Sequence, residues 1–301
     1  MQTVANQIGM MFLLIACGLW MRKRHIMTDP VVKGMNSLIL SLTWPMLMIA
    51  TTQKDYTPES LKIFVEVMIA ASIVMAVGLL AVYFIFRKLK LDTTPVMAML
   101  STMPNSGFFG IPIIQALYGD IGLLYLAAYI VGFNLVLWTI PLAMYSGLTL
   151  KSLKNLLNPG IIGAIVGMSL FLLQIRLPGP ILGAVNQLSA LNTPLSMLIL
   201  GARMDALKLP DFIDRRLWLS ISIKMIILPL LTLMVCRPLG MTGMTLIIVV
   251  GCTAMPTAAS VQMMTEKYGG DVQLSAKGVS VSTLCSAVTL PLILYIAGLF
   301  A

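Results

Sequence analysis

Charge is scarce in this sequence, and so are the residues that usually hold metal ions. Only 10% of the 301 residues are charged and 58% are hydrophobic, whereas a soluble domain carries about 25% charged residues. The single histidine, His25, lies in a basic loop, and the four cysteines fall in apolar runs without C-x-x-C spacing. The composition therefore predicts a polytopic membrane protein without a separate soluble domain, a metal site or a disulfide framework.

Motifs of the common enzyme and cofactor classes are missing as well. The chain has no phosphate-binding glycine loop, no nucleophile paired with a base and no paired carboxylates, so we expect neither enzyme activity nor a cofactor. A net charge of +9 could suggest nucleic acid. The basic residues are scattered among short loops, however, and the positive-inside rule explains them better. We expect contact with the lipid bilayer and none with nucleic acid.

Long apolar runs fill almost the whole chain. A bilayer core of about 30 Å needs about 20 mostly apolar residues per helix, which predicts ten membrane-spanning segments. Segments 1 to 10 are residues 4–21, 31–50, 61–86, 94–118, 121–145, 158–174, 180–204, 217–236, 243–268 and 274–300.

Basic residues alternate between the two sides of this arrangement. The loops after segments 1, 3, 5, 7 and 9 hold Arg22, Lys23, Arg24, Lys33, Arg87, Lys88, Lys90, Lys151, Lys154, Arg203, Lys208, Arg215, Arg216, Lys267 and Lys277. The opposite loops hold only Lys54, Lys62, Arg176 and Arg237. The positive-inside rule then predicts that both termini lie outside a bacterial cytoplasmic (inner) membrane. The first charges follow the first apolar run, which argues against a cleaved signal peptide.

The two halves of the chain resemble each other. TIPLAMY at 139–145 matches TLPLILY at 289–295, with four identities in seven, and Met-Pro at 103–104 matches Met-Pro at 255–256. Because each half holds five segments, an odd number, the second half enters the membrane from the opposite side. The expected fold is all-α, with two inverted five-helix repeats at residues 1–150 and 151–301.

Segment 4 contains a stretch, STMPNSGFFGIP, that cannot continue as one helix. Pro104 has no backbone N–H, and freed backbone groups at membrane depth need protein or a cavity to cover them. We expect Asn105 to cap a second half-helix that opens with Ser106 and Gly107, and that end favours an anion. The alternative is that Asn105 only caps the helix and the glycines permit close packing.

Segment 9 is broken in the same way around Pro256, in the sequence CTAMPTAAS. The hydroxyl groups of Thr257 and Ser260 are candidate substrate contacts there. Small residues also let helix backbones cross closely, which is the alternative interpretation. Together, the two breaks predict a substrate site near the middle of the membrane.

Lys224 lies about eight residues into segment 8, and intramembrane charges are costly enough to suggest a function. It could pair with an anionic substrate, occupy the place of a cation, or extend toward the inner interface along its own stem. Glu66, near the outer end of segment 3, is either interfacial or protonatable. The segments hold no cluster of aspartates, which weakens a sodium-coupled mechanism and leaves proton or potential coupling open.

Two motifs resemble those of the auxin efflux carrier family, which includes the plant PIN-formed carriers and bacterial malate-permease-like transporters. PNSGFFGIP at 104–112 resembles the first crossover of that family, and NTPLSMLILG at 192–201 is similar to its T-P-L-x-M-x-x-x-G segment. The resemblance extends over the whole chain. It implies a fold similar to sodium/proton antiporters and bile acid symporters, in which the broken segments 4 and 9 cross as an X.

The same resemblance implies that the segments form two groups with different roles. Segments 1, 2, 6 and 7 would form a scaffold, often dimeric, and segments 3–5 and 8–10 a transport domain that moves as an elevator. The substrate would be a small organic anion, either a dicarboxylate or an aromatic carboxylate. The family's crossover asparagine corresponds to Asn105 and its prolines to Pro104 and Pro256. The chain departs from the PIN-formed carriers at Met255, where they have asparagine, and in its short loop at 146–157.

The leading hypothesis is a secondary carrier or facilitator of small organic anions that works by alternating access. A membrane receptor or regulatory subunit that binds an anion without moving it is the alternative. An intramembrane enzyme is a third hypothesis, disfavoured by the missing catalytic motifs.

Overall fold

The computed structural model describes residues 2–53, 57–91, 93–146, 159–205 and 214–301. These residues form helices, and the one β-type pairing among them is an isolated bridge. The helices of the first half are α1 (Gln2–Lys23), α2 (Asp29–Leu38), a π-helical turn (Ile39–Thr43), α3 (Trp44–Thr52), α4 (Pro58–Lys88), α5 (Thr94–Thr102), α6 (Gly110–Leu137) and α7 (Ile140–Ser146). Those of the second half are α8 (Pro159–Leu172), α9 (Gly179–Ala190), α10 (Asn192–Met204), α11 (Arg215–Ser222), a π-helical turn (Ile223–Ile227), α12 (Leu228–Cys236), α13 (Gly243–Thr253), α14 (Ala259–Tyr268) and α15 (Val272–Phe300).

Helices lie at the positions of all ten predicted segments. Five stretches are both long and apolar enough to cross a membrane: Asp29–Thr52, Pro58–Lys88, Ser106–Tyr145, Arg215–Cys236 and Val272–Phe300. The chain is therefore an all-helical polytopic membrane protein, whereas the count of ten spans and the inverted relation of the halves remain predictions. The basic residues Lys54, Lys151, Lys154 and Lys208, and nearly all of the loop 146–157, lie outside the described residues.

The helices are interrupted at more places than the two predicted breaks. A π-helical turn precedes Pro45 and another precedes Pro229, while helices end just before Pro141 and Pro194. Proline donates no N–H and its ring clashes with the carbonyl four residues earlier, so the preceding turn widens or ends. At Gly119 a φ of 58° and a ψ of −144° kink α6 between segments 4 and 5.

The helices of segments 1, 2, 6 and 7 form one group in which backbones nearly touch. Helix α1 crosses α10 at Gly18 and Gly201, where a Cβ atom on either residue would overlap the backbone of the partner helix. Helix α3 crosses α8 in the same manner, and a Cβ on Gly163 would lie 2.5 Å from the Cα of Pro45. Such close approach supplies the van der Waals contact that holds helices together in lipid, where the hydrophobic effect between them is absent.

The remaining helices, α4–α7 and α11–α15, form a second group around the two predicted breaks. Helix α4 packs along α6, where a Cβ on Gly132 would lie 2.7 Å from the carbonyl oxygen of Met68. Met103 and Met255, the residues directly before the two break prolines, both have an exposed fraction of 0%. Both breaks therefore lie in the interior of this group.

Candidate functional site

The first break separates α5 from α6. Helix α5 ends at Thr102 and the chain is extended at Met103. The helical hydrogen-bond pattern restarts at Asn105, whose carbonyl oxygen accepts from the N–H of Phe109 at 3.0 Å. Asn105 thus precedes the first turn of the second half-helix, where backbone N–H groups have no intrahelical acceptor and the helix dipole favours negative charge.

The second break lies against the first. The N–H of Asn105 donates to the carbonyl of Pro256 at 2.7 Å, and the N–H of Ala258 donates to the carbonyl of Met103 at 3.0 Å. These two bonds form the isolated antiparallel bridge between Pro104 and Thr257. Four backbone groups beside the two prolines are therefore paired across the breaks, as a dry interior requires. Four of the predicted site residues are in this way brought together.

Hydrogen bonds of Thr257 connect the second break to α5 and to α15. Its hydroxyl donates to the carbonyl oxygen of Leu100 at 2.8 Å, and its N–H donates to the Ser282 hydroxyl at 3.0 Å. The carbonyl of Leu100 would normally accept from the residue four positions later, but that residue is Pro104, which has no N–H. The Thr257 hydroxyl supplies the missing hydrogen bond. A contact of Thr257 with substrate remains a prediction.

Lys224 lies beside the second break, deep in the protein. Its side chain has an exposed fraction of 0%, and its ammonium donates to the carbonyl oxygen of Thr253, the last residue of α13. The Thr253 hydroxyl is within 3.1 Å of the Tyr129 hydroxyl. The ammonium is thus directed to the C-terminal end of a half-helix, not to the membrane interface. Glu66, by contrast, is exposed and lies 3.8 Å from Lys62, one turn away on α4.

A small cavity borders Asn105 on the side of the loops that are predicted to be inner. Its polar lining comes from Asn36, Asn105, Ser196 and Arg203, and its free volume of about 10 Å³ admits roughly one water molecule. Arg203 also donates to the side-chain oxygen of Gln262 at 3.0 Å. Sequence reasoning counted Arg203 only as a loop charge. Its place as the next-to-last residue of segment 7, inside helix α10, was the only local signal that it could face inward.

Several buried donors around the breaks have no partner within the described residues. They include the Ser106 hydroxyl, the Ser260 hydroxyl, the Trp44 indole N–H and the side-chain amide nitrogen of Asn192. The Asn192 oxygen, in contrast, accepts from the Thr43 hydroxyl at 3.0 Å. Buried polar groups are rarely left unpaired, so these atoms mark a place where a ligand could supply acceptors.

Trp44 packs directly on the first turn of the second half-helix of segment 4. Its ring lies edge-on to Phe108, with 5.3 Å between the ring centroids, and a Cβ on Gly107 would lie 3.1 Å from it. Only glycine at position 107 therefore lets the indole approach this closely. No local pattern predicts this contact, because Trp44 and Gly107 are far apart in the chain.

A larger cleft of about 750 Å³ lies on the other side of the Trp44–Phe108 pair. Its polar lining comes from Gln7, Thr51, Gln115, Asp120, Asn186, Ser189 and Thr193. In segment 4, Phe108 lines the cavity and Ile111 lines the cleft. In segment 2, Ile39 lines the cavity and Leu47 lines the cleft. The aromatic pair thus lies between the two spaces.

Metal binding has no support in this part of the protein. Among the described residues, no group of three or more His, Cys, Asp or Glu side chains is placed to hold a metal ion. The arrangement around the breaks is instead rich in uncharged donors, with two cationic side chains nearby.

Comparison with known proteins adds a family and two relatives. The family model described as "Membrane transport protein" matches residues 3–152 and 144–294. The chain is 24% identical to an uncharacterized transporter of Methanocaldococcus jannaschii, over 93% of this chain and 94% of that protein. It is 22% identical to the uncharacterized transporter YfdV of Escherichia coli K12, over 95% of each chain.

Proposed function

Because the chain belongs to the membrane transport protein family, that of the auxin efflux and malate-permease-like carriers, we propose that it carries small organic anions by alternating access. The substrate carboxylate binds where the breaks of segments 4 and 9 meet. Dicarboxylates and aromatic carboxylates are the candidate substrates.

The observation that carries this proposal is the surplus of donors beside Asn105. The Asn105 amide and the Arg203 guanidinium line one cavity, whose described lining contains no Asp or Glu. The Ser106 hydroxyl, one residue after Asn105, and the indole N–H of Trp44, which packs on Gly107 and Phe108, lack partners. A carboxylate offers acceptors only, and hydrogen bonds to a charged group are about twice as strong as neutral ones. One carboxylate, that of Glu266, lies near Arg203 and accepts from the Gln262 amide at 2.8 Å. The donors that line the cavity itself are complementary to an anion.

The division of the helices into two groups supports an elevator movement. Segments 1, 2, 6 and 7 are the scaffold in this proposal, and the second group, which contains both breaks, is the transport domain. The cleft leads toward the predicted outer loops, and the Arg203–Gln262 hydrogen bond joins the two groups on the inner side. Transport inward requires this bond to break while the cleft closes.

The same proposal includes the membrane in which the carrier resides and its oligomeric state. It resides in a bacterial inner membrane with both termini outside, and it forms a homodimer through the scaffold helices. Light scattering of the purified protein in detergent measures the second point directly, since a monomeric mass contradicts it.

Substrate binding is tested first, by a thermal-shift screen of the purified protein against carboxylates from malate to indole-3-acetate, at two pH values. A bound ligand raises the unfolding midpoint by mass action. The shift is expected to disappear in Asn105→Ala. Asn134→Ala is the matched control, because Asn134 is also a buried asparagine, but it lies in segment 5 and its amide donates to the Ile130 carbonyl of its own helix at 2.9 Å.

Flux into proteoliposomes then separates a carrier from a receptor. Saturable uptake of the carboxylate that binds supports the proposal. Saturable binding without uptake in any direction favours a receptor or regulatory protein instead.

A further inference from the structure

Two half-helices, α5 and α13, end at the breaks, and a different kind of hydrogen-bond donor binds the C-terminal carbonyl of each. The last turn of α5 offers the Leu100 carbonyl, which accepts from the neutral hydroxyl of Thr257. The last turn of α13 offers the Thr253 carbonyl, which accepts from the ammonium of Lys224. The C-terminal end of α13 therefore has the ammonium of Lys224 beside it, whereas the C-terminal end of α5 has a neutral hydroxyl.

The Thr253 carbonyl has no backbone partner because of the break. The residue four positions later is Thr257, and its N–H donates to Ser282 instead. The C-terminal end of a helix carries roughly half a negative charge, so this carbonyl is a natural position for a cation. The Thr253 hydroxyl donates back to the Val249 carbonyl at 2.7 Å and lies 3.1 Å from the Tyr129 hydroxyl, so it does not supply the missing donor to the Thr253 carbonyl.

Lys224 has the properties of a cation built into that position. Its side chain is completely buried, and no acidic side chain of the described residues forms an ion pair with it. Among the described residues, its hydrogen-bond partner is the Thr253 carbonyl. It also lies in the π-helical turn Ile223–Ile227, and such turns are frequent at functional sites.

We propose that the Lys224 ammonium is a tethered cation, which fills a monovalent-cation site at the end of α13 that would otherwise need an ion from solution. The consequence for transport, which rests on the proposed function, is that the carrier works without sodium. The occupancy of the cation site does not depend on that function and can be measured by itself.

The test compares wild-type protein with Lys224→Ala in detergent, at fixed ionic strength, in choline, sodium or n-propylammonium chloride. Wild-type protein is expected to unfold at the same midpoint in all three salts. Lys224→Ala is expected to unfold earlier in choline and to regain midpoint, in a saturable manner, with sodium or n-propylammonium. Neutral 1-propanol at the same concentration should not restore it.

Two further variants keep the test decisive. Met225→Ala removes a buried side chain of the same π-helical turn and should show no response to propylammonium. Lys224→Gln keeps a hydrogen-bond donor without the charge, and it decides the question if Lys224→Ala does not fold. We expect Lys224→Gln to be less stable than wild type in choline.

Three results would overturn the proposal: a wild-type midpoint that rises with sodium, a Lys224→Gln variant as stable as wild type, or equal rescue by propanol and propylammonium. Absence of uptake for every carboxylate, with cation rescue intact, would instead contradict the proposed function and leave the cation site standing. Uptake by wild-type protein that needs sodium would contradict the consequence drawn for transport.

Discussion

Thr257→Val is the substitution that separates a structural role at the breaks from a substrate contact. The replacement has almost the same shape and removes only the hydroxyl. The Leu100 carbonyl then loses the donor that lies 2.8 Å away, and Pro104 cannot replace it, because proline has no N–H.

The size of the effect follows from what remains unpaired. Thr257 has an exposed fraction of 1%, so water does not reach the carbonyl easily. A buried acceptor left without a partner costs about 1–3 kcal/mol, whereas an average interhelical hydrogen bond in a membrane protein contributes about 0.6 kcal/mol. We therefore expect Thr257→Val to lower the free energy of unfolding by about 1–3 kcal/mol.

The assay is reversible unfolding in mixed micelles, with Thr283→Val as the control. Thr283 is also fully buried, but its hydroxyl donates to the Val279 carbonyl inside its own helix, at 2.7 Å. That carbonyl keeps its backbone partner when the hydroxyl is removed, so the control should lose less stability. If both variants are equally stable while only Thr257→Val loses ligand binding, the structural argument is refuted and Thr257 contacts substrate.

Three other substitutions test separate parts of the account. Gly201→Val should abolish folding, because the Cβ atom of the valine would overlap the backbone of α1. Gly183→Ala should fold normally, because Gly183 has open space around it. Equal yields of monodisperse protein for the two variants would contradict the close packing of α1 and α10. Trp44→Phe should lower the stability of ligand-free protein only through lost packing on Gly107 and Phe108, because the indole N–H has no partner to lose, and it should weaken carboxylate binding. A titration with unchanged affinity would remove Trp44 from the site. Arg203→Gln should weaken binding by roughly tenfold or more, as expected for a charged hydrogen bond, and a calorimetric titration with wild-type affinity would return Arg203 to a purely structural role.

Local signals predicted much of the fold. Apolar length predicted where helices lie, although the count of ten membrane spans remains a prediction, and Pro104 and Pro256 located both breaks, because proline acts on the backbone within one turn. Pro45 and Pro229 also follow π-helical turns, but Pro291 lies inside the continuous helix α15, so a proline alone would not have predicted those turns. The kink at Gly119 fell at the predicted boundary between segments 4 and 5.

The site was less predictable, because its contacts join residues that are distant in the chain. The hydrogen bond between Arg203 and Gln262 and the approach of Trp44 to Gly107 depend on how the two helix groups meet. Asn105 was identified because the break and the family motif coincide there. The depth of Lys224 was also predicted, but its direction toward Thr253 is a tertiary feature with no local signal.

The most direct test of the central claim is the initial rate of tracer uptake into proteoliposomes, measured with the carboxylate that gives the largest thermal shift. The claim is that this anion crosses the membrane through the site beside Asn105. It predicts saturable uptake for wild type and for Asn134→Ala, and uptake at the level of empty liposomes for Asn105→Ala inserted in equal amount. Wild-type uptake by Asn105→Ala would contradict it.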